Sequence, residues 1–153
     1  LIVRPREIQD NAVPSGNAMA AFNLFRLSQL AVEPEYEEEG RQSLRQVQGM
    51  MGRYPLGFGQ WLTVLEYALA ETREVAILGA SGSEEVDAML AVCRDGFRPH
   101  QVIAVGDPSD ADTETVPLLS GRKKVDGQAT AYVCIDFTCR RPVTDPEALV
   151  ELL

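Results

Sequence analysis

Val75-Ala-Ile-Leu-Gly-Ala-Ser-Gly-Ser-Glu-Glu-Val86 decides how the second half of the chain folds. Val75 to Leu78 is a continuous apolar run, as expected of a strand covered on both faces. Gly79 and Gly82 bracket a tight turn, where glycine permits backbone paths that other residues resist. Ser83 is placed to cap a helix, and Glu84 and Glu85 fall in its first turn, where the helix dipole favours acids. A dinucleotide cradle needs G-x-G-x-x-G, and a Walker loop needs its lysine. Here the third glycine and the lysine are both missing. A phosphate at this helix start would also meet two carboxylates. The stretch reads as a strand-to-helix turn.

Working outward, the same texture continues from Arg73 to the end. Residues 74–78, 101–105 and 130–137 read as strands. Residues 84–95, 112–119 and 146–152 read as helices, with Val86, Met89, Leu90 and Cys93 inward on the first. Strands alternating with helices predict an α/β unit with a three-stranded parallel β-sheet and right-handed crossover helices. Upstream the pattern is helical. A first helix begins near Ser15, and Ala18, Met19, Ala21, Phe22, Phe25, Leu27 and Leu30 leave it only a narrow polar face. A second begins at Glu33-Pro34-Glu35 and carries Tyr36, Leu44, Val47 and Met51 as its apolar stripe. Gly52 and Tyr54-Pro55 end it. A third spans 58–69 with Phe58, Trp61, Leu62, Leu65 and Leu69 inward. The texture changes near residue 71, giving a helical segment 1–71 and a β-α-β-α-β-α unit 72–153.

The totals narrow the function. A formal net charge of -9 over 153 residues disfavours nucleic acid and anionic membrane as partners. No apolar run approaches the roughly 20 residues a spanning helix needs. The three cysteines, without a secretory segment, point to reduced thiols in a cytoplasm. The chain opens on Leu1-Ile2-Val3-Arg4, which reads as a fragment of something longer.

Two groups of residues carry candidate chemistry. Cys134 and Cys139 have four residues between them, where a thioredoxin-like pair has two. With the strand running to 137, Cys139 falls at or past its end and faces away from Cys134. Cys93 and His100 do not complete a zinc spacing, so no metal and no cofactor is expected. The loop from Arg4 to Asn17 gathers Asp10, Asn11, Ser15 and Asn17 at a helix start. These either cap the helix or line a ligand site.

Three segments, EIQDNAVPSGNAMAAFNLFRL (7–27), RYPLGFGQWL (53–62) and VDGQATAYVCIDFTCRRPVTDPEAL (125–149), span most of the chain. They resemble, in order, the C-terminal part of the thioredoxin-domain-containing proteins related to spermatogenesis-associated protein 20. The resemblance implies an N-terminal thioredoxin-like domain, then an α/α toroid similar to N-acylglucosamine 2-epimerases and six-hairpin glycosidases. This chain would supply the last toroid helices and a terminal α/β segment. In that setting Asp10, Asn11, Ser15 and Asn17 would form a funnel rim, with Tyr54, Phe58 and Trp61 as aromatic surface for a sugar. Aromatics at helical spacing are otherwise core. Epimerase chemistry would call on histidines, and His100, the only one, lies in the α/β half.

The reading is therefore a structural and interaction module of a larger protein, not catalytic by itself. Its expected partners are the upstream toroid and thioredoxin-like domains, or a second copy joined through exposed helices. Two alternatives stand beside it. One is part of a carbohydrate-binding or isomerase-like site. The other is a thiol-redox accessory in which Cys134 and Cys139 exchange disulfides with the thioredoxin-like domain.

Overall fold

Ser15 opens helix α1, Gly16–Leu30, by accepting the Ala18 N–H on its hydroxyl at 3.1 Å. The computed structural model to which this helix belongs describes residues 7–153, the side chain of Asp112 excepted. The Leu1-Ile2-Val3-Arg4 opening, and the Arg4 to Arg6 part of the first loop, lie outside the described residues. Two compact units result. One holds residues up to Ser28 with Glu33–Ala70, the other Gln29–Val32 with Glu71–Leu153.

In the helical unit α2, Pro34–Arg53, starts on a proline with Glu35 and Glu37 in its first turn. A short 3-10 turn, Pro55–Gly57, leads to α3, Gly59–Leu69. Ala18, Ala21 and Phe25 of α1, Leu44, Val47 and Met51 of α2, and Trp61, Val64 and Tyr67 of α3 make one core. Gly40 lets α2 close on α1, because a Cβ there would sit 2.8 Å from the Phe25 ring. Phe22 meets Tyr67 edge-on at 5.3 Å. The inward faces are narrower than the sequence predicts. Met19 and Leu27 of α1, Tyr36 of α2, and Leu62 and Leu69 of α3 are exposed. On α3 the buried positions recur three apart, at 61, 64 and 67, which rotates Leu62 and Leu69 outward.

The second unit is α/β, but its sheet has four strands and is mixed. Strands β1 (Arg73–Leu78), β2 (Gln101–Gly106), β3 (Thr130–Ile135) and β4 (Thr138–Cys139) lie in the order β2-β1-β3-β4. β1 and β2 are parallel, joined through α4, Glu84–Arg94. β3 is antiparallel to β1, which corrects the expected three-stranded parallel sheet. The reason lies between β2 and β3. The helix expected at 112–119 is only a 3-10 turn, Ala111–Thr115. Thr130 pairs with Leu78, so β3 starts at the end where β1 finishes. The connection never travels the length of the sheet, as a parallel crossover must. The strand expected over 130–137 stops at Ile135. Asp136 (φ 49°) and Phe137 (φ 59°) then form a two-residue turn into β4. Two positive φ values match the type I′ hairpin turn, whose twist suits adjoining strands.

Alternate residues of the strands face opposite layers. Val75, Ile77, Ala131 and Val133 pack on Val86, Met89 and Cys93 of α4 and on Leu149 of α5, Pro146–Val150. Ala76, Leu78, Val102 and Ala104 pack on Leu118 and Leu119. The stretch quoted first is a strand, a turn and a helix start. A Cβ on Gly79 would fall 2.6 Å from the Val86 side chain, and Gly82 has φ +78°. The Ser83 hydroxyl accepts the Val86 N–H at 3.4 Å.

Candidate functional site: a cross-strand cysteine pair

The hairpin turn at Asp136 and Phe137 folds the chain back so that Cys139 of β4 stands opposite Cys134 of β3. The two form a disulfide, S–S 2.03 Å, with Cα atoms 3.8 Å apart. This corrects two expectations. Cys139 does not face away from Cys134, because it sits on the next strand in register instead of on the same strand five residues on. Nor are these thiols reduced. The pair is asymmetric: Cys134 is fully buried and Cys139 is exposed.

On the other side of Cys134 the register places Glu74 of β1. One face of the sheet thus carries Val102, Glu74, Cys134 and Cys139 in a row. Among the described residues Glu74 is the only buried acid, at 1% exposure. Its Oε2 accepts the Phe137 N–H at 3.2 Å, which ties β1 to the hairpin turn. Burial pushes the Glu74 carboxyl above the ordinary carboxylate range. The Phe137 N–H opposes that rise, the Asp136 charge adds to it, and the Arg122 guanidinium opposes it.

Arg122 lies over the pair. Its Nη2 is 3.5 Å from Cys134 Sγ and 3.3 Å from Cys139 Sγ. Its Nη1 donates to the Leu118 carbonyl, and its guanidinium stands 5.6 Å above the Tyr132 ring. Tyr132 is itself fixed, donating its hydroxyl to the Lys123 carbonyl at 2.7 Å. Partial burial pulls the Arg122 pKa down, against the raising effects of Tyr132 and Glu74. Chemically this is a disulfide between a buried and an exposed residue, with a cation touching both sulfurs. The third cysteine, Cys93, is buried in the core with its thiol pushed up to about 11 by burial. It stays a thiol and is poorly reactive.

The candidates in the helical unit are spread among structural tasks. Asp10 accepts the Ser15 N–H on Oδ1 and the Gln60 N–H on Oδ2, each at 2.8 Å, so one carboxylate caps α1 and α3 together. Asn17 donates its amide to the Glu7 carbonyl at 2.8 Å. The Asn11 N–H donates to the Val13 carbonyl at 3.0 Å. Phe58 and Trp61 are core residues, at 0% and 2% exposure, and Trp61 donates its indole N–H to the Ile8 carbonyl at 2.8 Å. Tyr54 is exposed. Asn17 and Trp61 do share a groove of about 350 Å³ with Leu24 and Gln46. Asp10, Asn11, Ser15, Tyr54 and Phe58 do not line it. Among the described residues no group of three His, Cys, Asp or Glu is arranged to hold a metal ion. No described helix is long and apolar enough to cross a membrane.

No family model matches the chain, and no solved structure matches it. It is 30% identical to spermatogenesis-associated protein 20 of Homo sapiens over 155 aligned positions, which take in 100% of this chain. The Rattus norvegicus and Mus musculus proteins of the same name are 29% and 28% identical over the same span. This chain matches the C-terminal region of that family. It spans about a fifth of the length of these relatives.

In this chain the cysteines are legible from sequence but their neighbours are not. Glu74 carried a faint signal, an acid at the head of a run that is otherwise apolar. Arg122 carried none, since its place over the sulfurs depends on where the 107–129 connection returns.

Proposed function

We propose that this chain is the C-terminal module of a larger protein, and that its α/β unit takes part in thiol–disulfide exchange through Cys134 and Cys139. The observation that carries this reading is the asymmetry of the pair beneath Arg122. An incoming thiolate reaches Cys139 Sγ and displaces Cys134 as a thiolate. That leaving group is formed against a guanidinium, which favours the charged sulfur. A second thiol resolves the mixed disulfide, so two external thiols become one disulfide and the hairpin pair becomes two thiols. The partner class is a dithiol protein. A thioredoxin-like domain of the same protein, as the resemblance implies, is the natural one.

The test is a redox titration of the folded chain in dithiothreitol or glutathione buffers, with thiols trapped by alkylation and counted by peptide mass. Buried Cys93 serves as an internal reference. The expected result is equilibrium between Cys134–Cys139 and the buffer above about −300 mV, with the circular dichroism of the fold unchanged. A bond that resists reduction until the chain unfolds is a structural crosslink, and the proposal fails.

A purely structural docking module is the second reading. It is favoured by the exposed apolar side chains Val13, Leu56 and Leu69 of the helical unit, together with the short share of its relatives that the chain spans. Sedimentation of the chain alone tests it: self-association that ends on Leu56→Ser or Leu69→Ser supports a sticky face.

A further inference from the structure

We infer that Glu74 is the proton acceptor and donor for Cys134 during disulfide exchange, so that the pair is a proton-coupled site and not only a reactive bond. The inference rests on the exchange reading proposed above. Its grounds are separate from that reading: one register position, one burial and one hydrogen bond.

Glu74 and Cys134 are directly opposed residues of an antiparallel pair. Side chains at such positions leave the sheet on the same face with Cβ atoms about 4.5–5.5 Å apart. Both residues are closed to solvent. A thiol in that position has no water to take its proton, and a thiolate released there has none to supply one. The carboxyl beside it fills both roles. An acid buried without such a task is costly, because its charged form is desolvated. The groups facing Glu74 are Cys134 of β3, Asp136 of the turn and Arg122 of the connection, with Val102 alone from β2. Arg122 and Asp136 act on it in opposite senses, and burial holds its carboxyl above the ordinary carboxylate range.

The step balances in both directions. In reduction, an external thiolate forms a bond to Cys139 Sγ. The Sγ–Sγ bond breaks, its electron pair goes to Cys134 Sγ, and the Glu74 carboxyl proton moves to that sulfur. In oxidation, the Glu74 carboxylate removes the Cys134 proton. The thiolate attacks Cys139 Sγ of the mixed disulfide, and the external thiolate leaves.

The bland account is that Glu74 only fastens the turn through Phe137. Glu74→Gln separates the two, since a glutamine oxygen still accepts the Phe137 N–H but exchanges no proton. The reduced chain is mixed with oxidised glutathione, and closure of the Cys139–glutathione mixed disulfide by Cys134 is followed by acid quench and mass. At neutral pH closure in E74Q should be about 10²-fold slower than in the parent, the lower end of general acid–base contributions. The difference should vanish in alkali, where the Cys134 thiol ionises unaided. Equal rates at neutral pH, or one constant deficit at every pH, overturn the inference and leave exchange intact. A parent that forms no mixed disulfide at Cys139 overturns exchange, and this inference with it. If E74Q does not fold, the parent decides alone. Its closure rate must change at the pH where carboxyl-labelled Glu74 titrates by carbon NMR, and a rate indifferent to that titration sinks the idea.

Discussion

Asp10 and Glu74 are both carboxylates in contact with backbone N–H groups, one in each unit, and they are used in opposite ways. Asp10 gives each oxygen to a helix start, Ser15 and Gln60. Each of its oxygens is thereby held in place by a backbone N–H. Glu74 receives the Phe137 N–H and stands in register with a sulfur, out of water. The lesson is that a polar residue's neighbours, more than its type, set its availability for chemistry. Turn-rich loops attract functional readings, yet this one is occupied with holding helices. The apolar strand that invited none holds the acid.

The contrast can be broken most forcefully in the helical unit. Trp61→Ala should lose about 3–5 kcal/mol in urea unfolding, because it empties the core and abandons the Ile8 carbonyl. A loss under about 1 kcal/mol would mean that Trp61 is a surface residue awaiting a ligand. Asp10→Ala should cost about 2 kcal/mol, since two helix-start N–H groups lose their acceptor at once. A stability-neutral Asp10→Ala would free that carboxylate for the rim role and erase its contrast with Glu74.

The smallest effect sharpens the other side. The Glu74 carboxyl is raised in the folded state, so between the unfolded carboxylate value and its own folded value the native chain binds more protons. This contribution to stability is therefore present in acid and lost as pH rises through that window, the reverse of the usual acid-denaturation slope. Unfolding midpoints of the parent and E74Q, measured across the mildly acidic range, should differ in slope in that sense. Parallel curves would remove the burial effect assigned to Glu74.

These particulars show how far sequence reached. The helices were legible because Ala18, Ala21 and Phe25, and likewise Leu44, Val47 and Met51, recur at helical spacing, and β1 because Val75 to Leu78 is unbroken. Which apolar residues would be left outside was not legible, since Leu62 and Leu69 differ from Trp61 only in the neighbours that other helices bring. The turn at Asp136 and Phe137 lacked the Asn-Gly or Asp-Gly signature of its type. The strand therefore read straight through it and the partner of Cys134 was lost. Strand direction was hidden too, because β-α-β alternation is the same whether the chain returns at one end of the sheet or crosses it. The candidate site is built from the two things local pattern cannot supply, cross-strand register and the return point of a long connection.

The outer edge of β3 is guarded by more than β4. Thr138 and Cys139 cover only its last two residues, but the chain then runs on beside β3, with the Arg140 N–H on the Val133 carbonyl and Val143 bridged to Ala131, so little free ladder is left there for a foreign strand. Any runaway growth by strand addition has to begin at the six-residue rim of β2 instead. The hairpin that carries the sulfurs therefore opens and closes chemically at a border its own chain already covers.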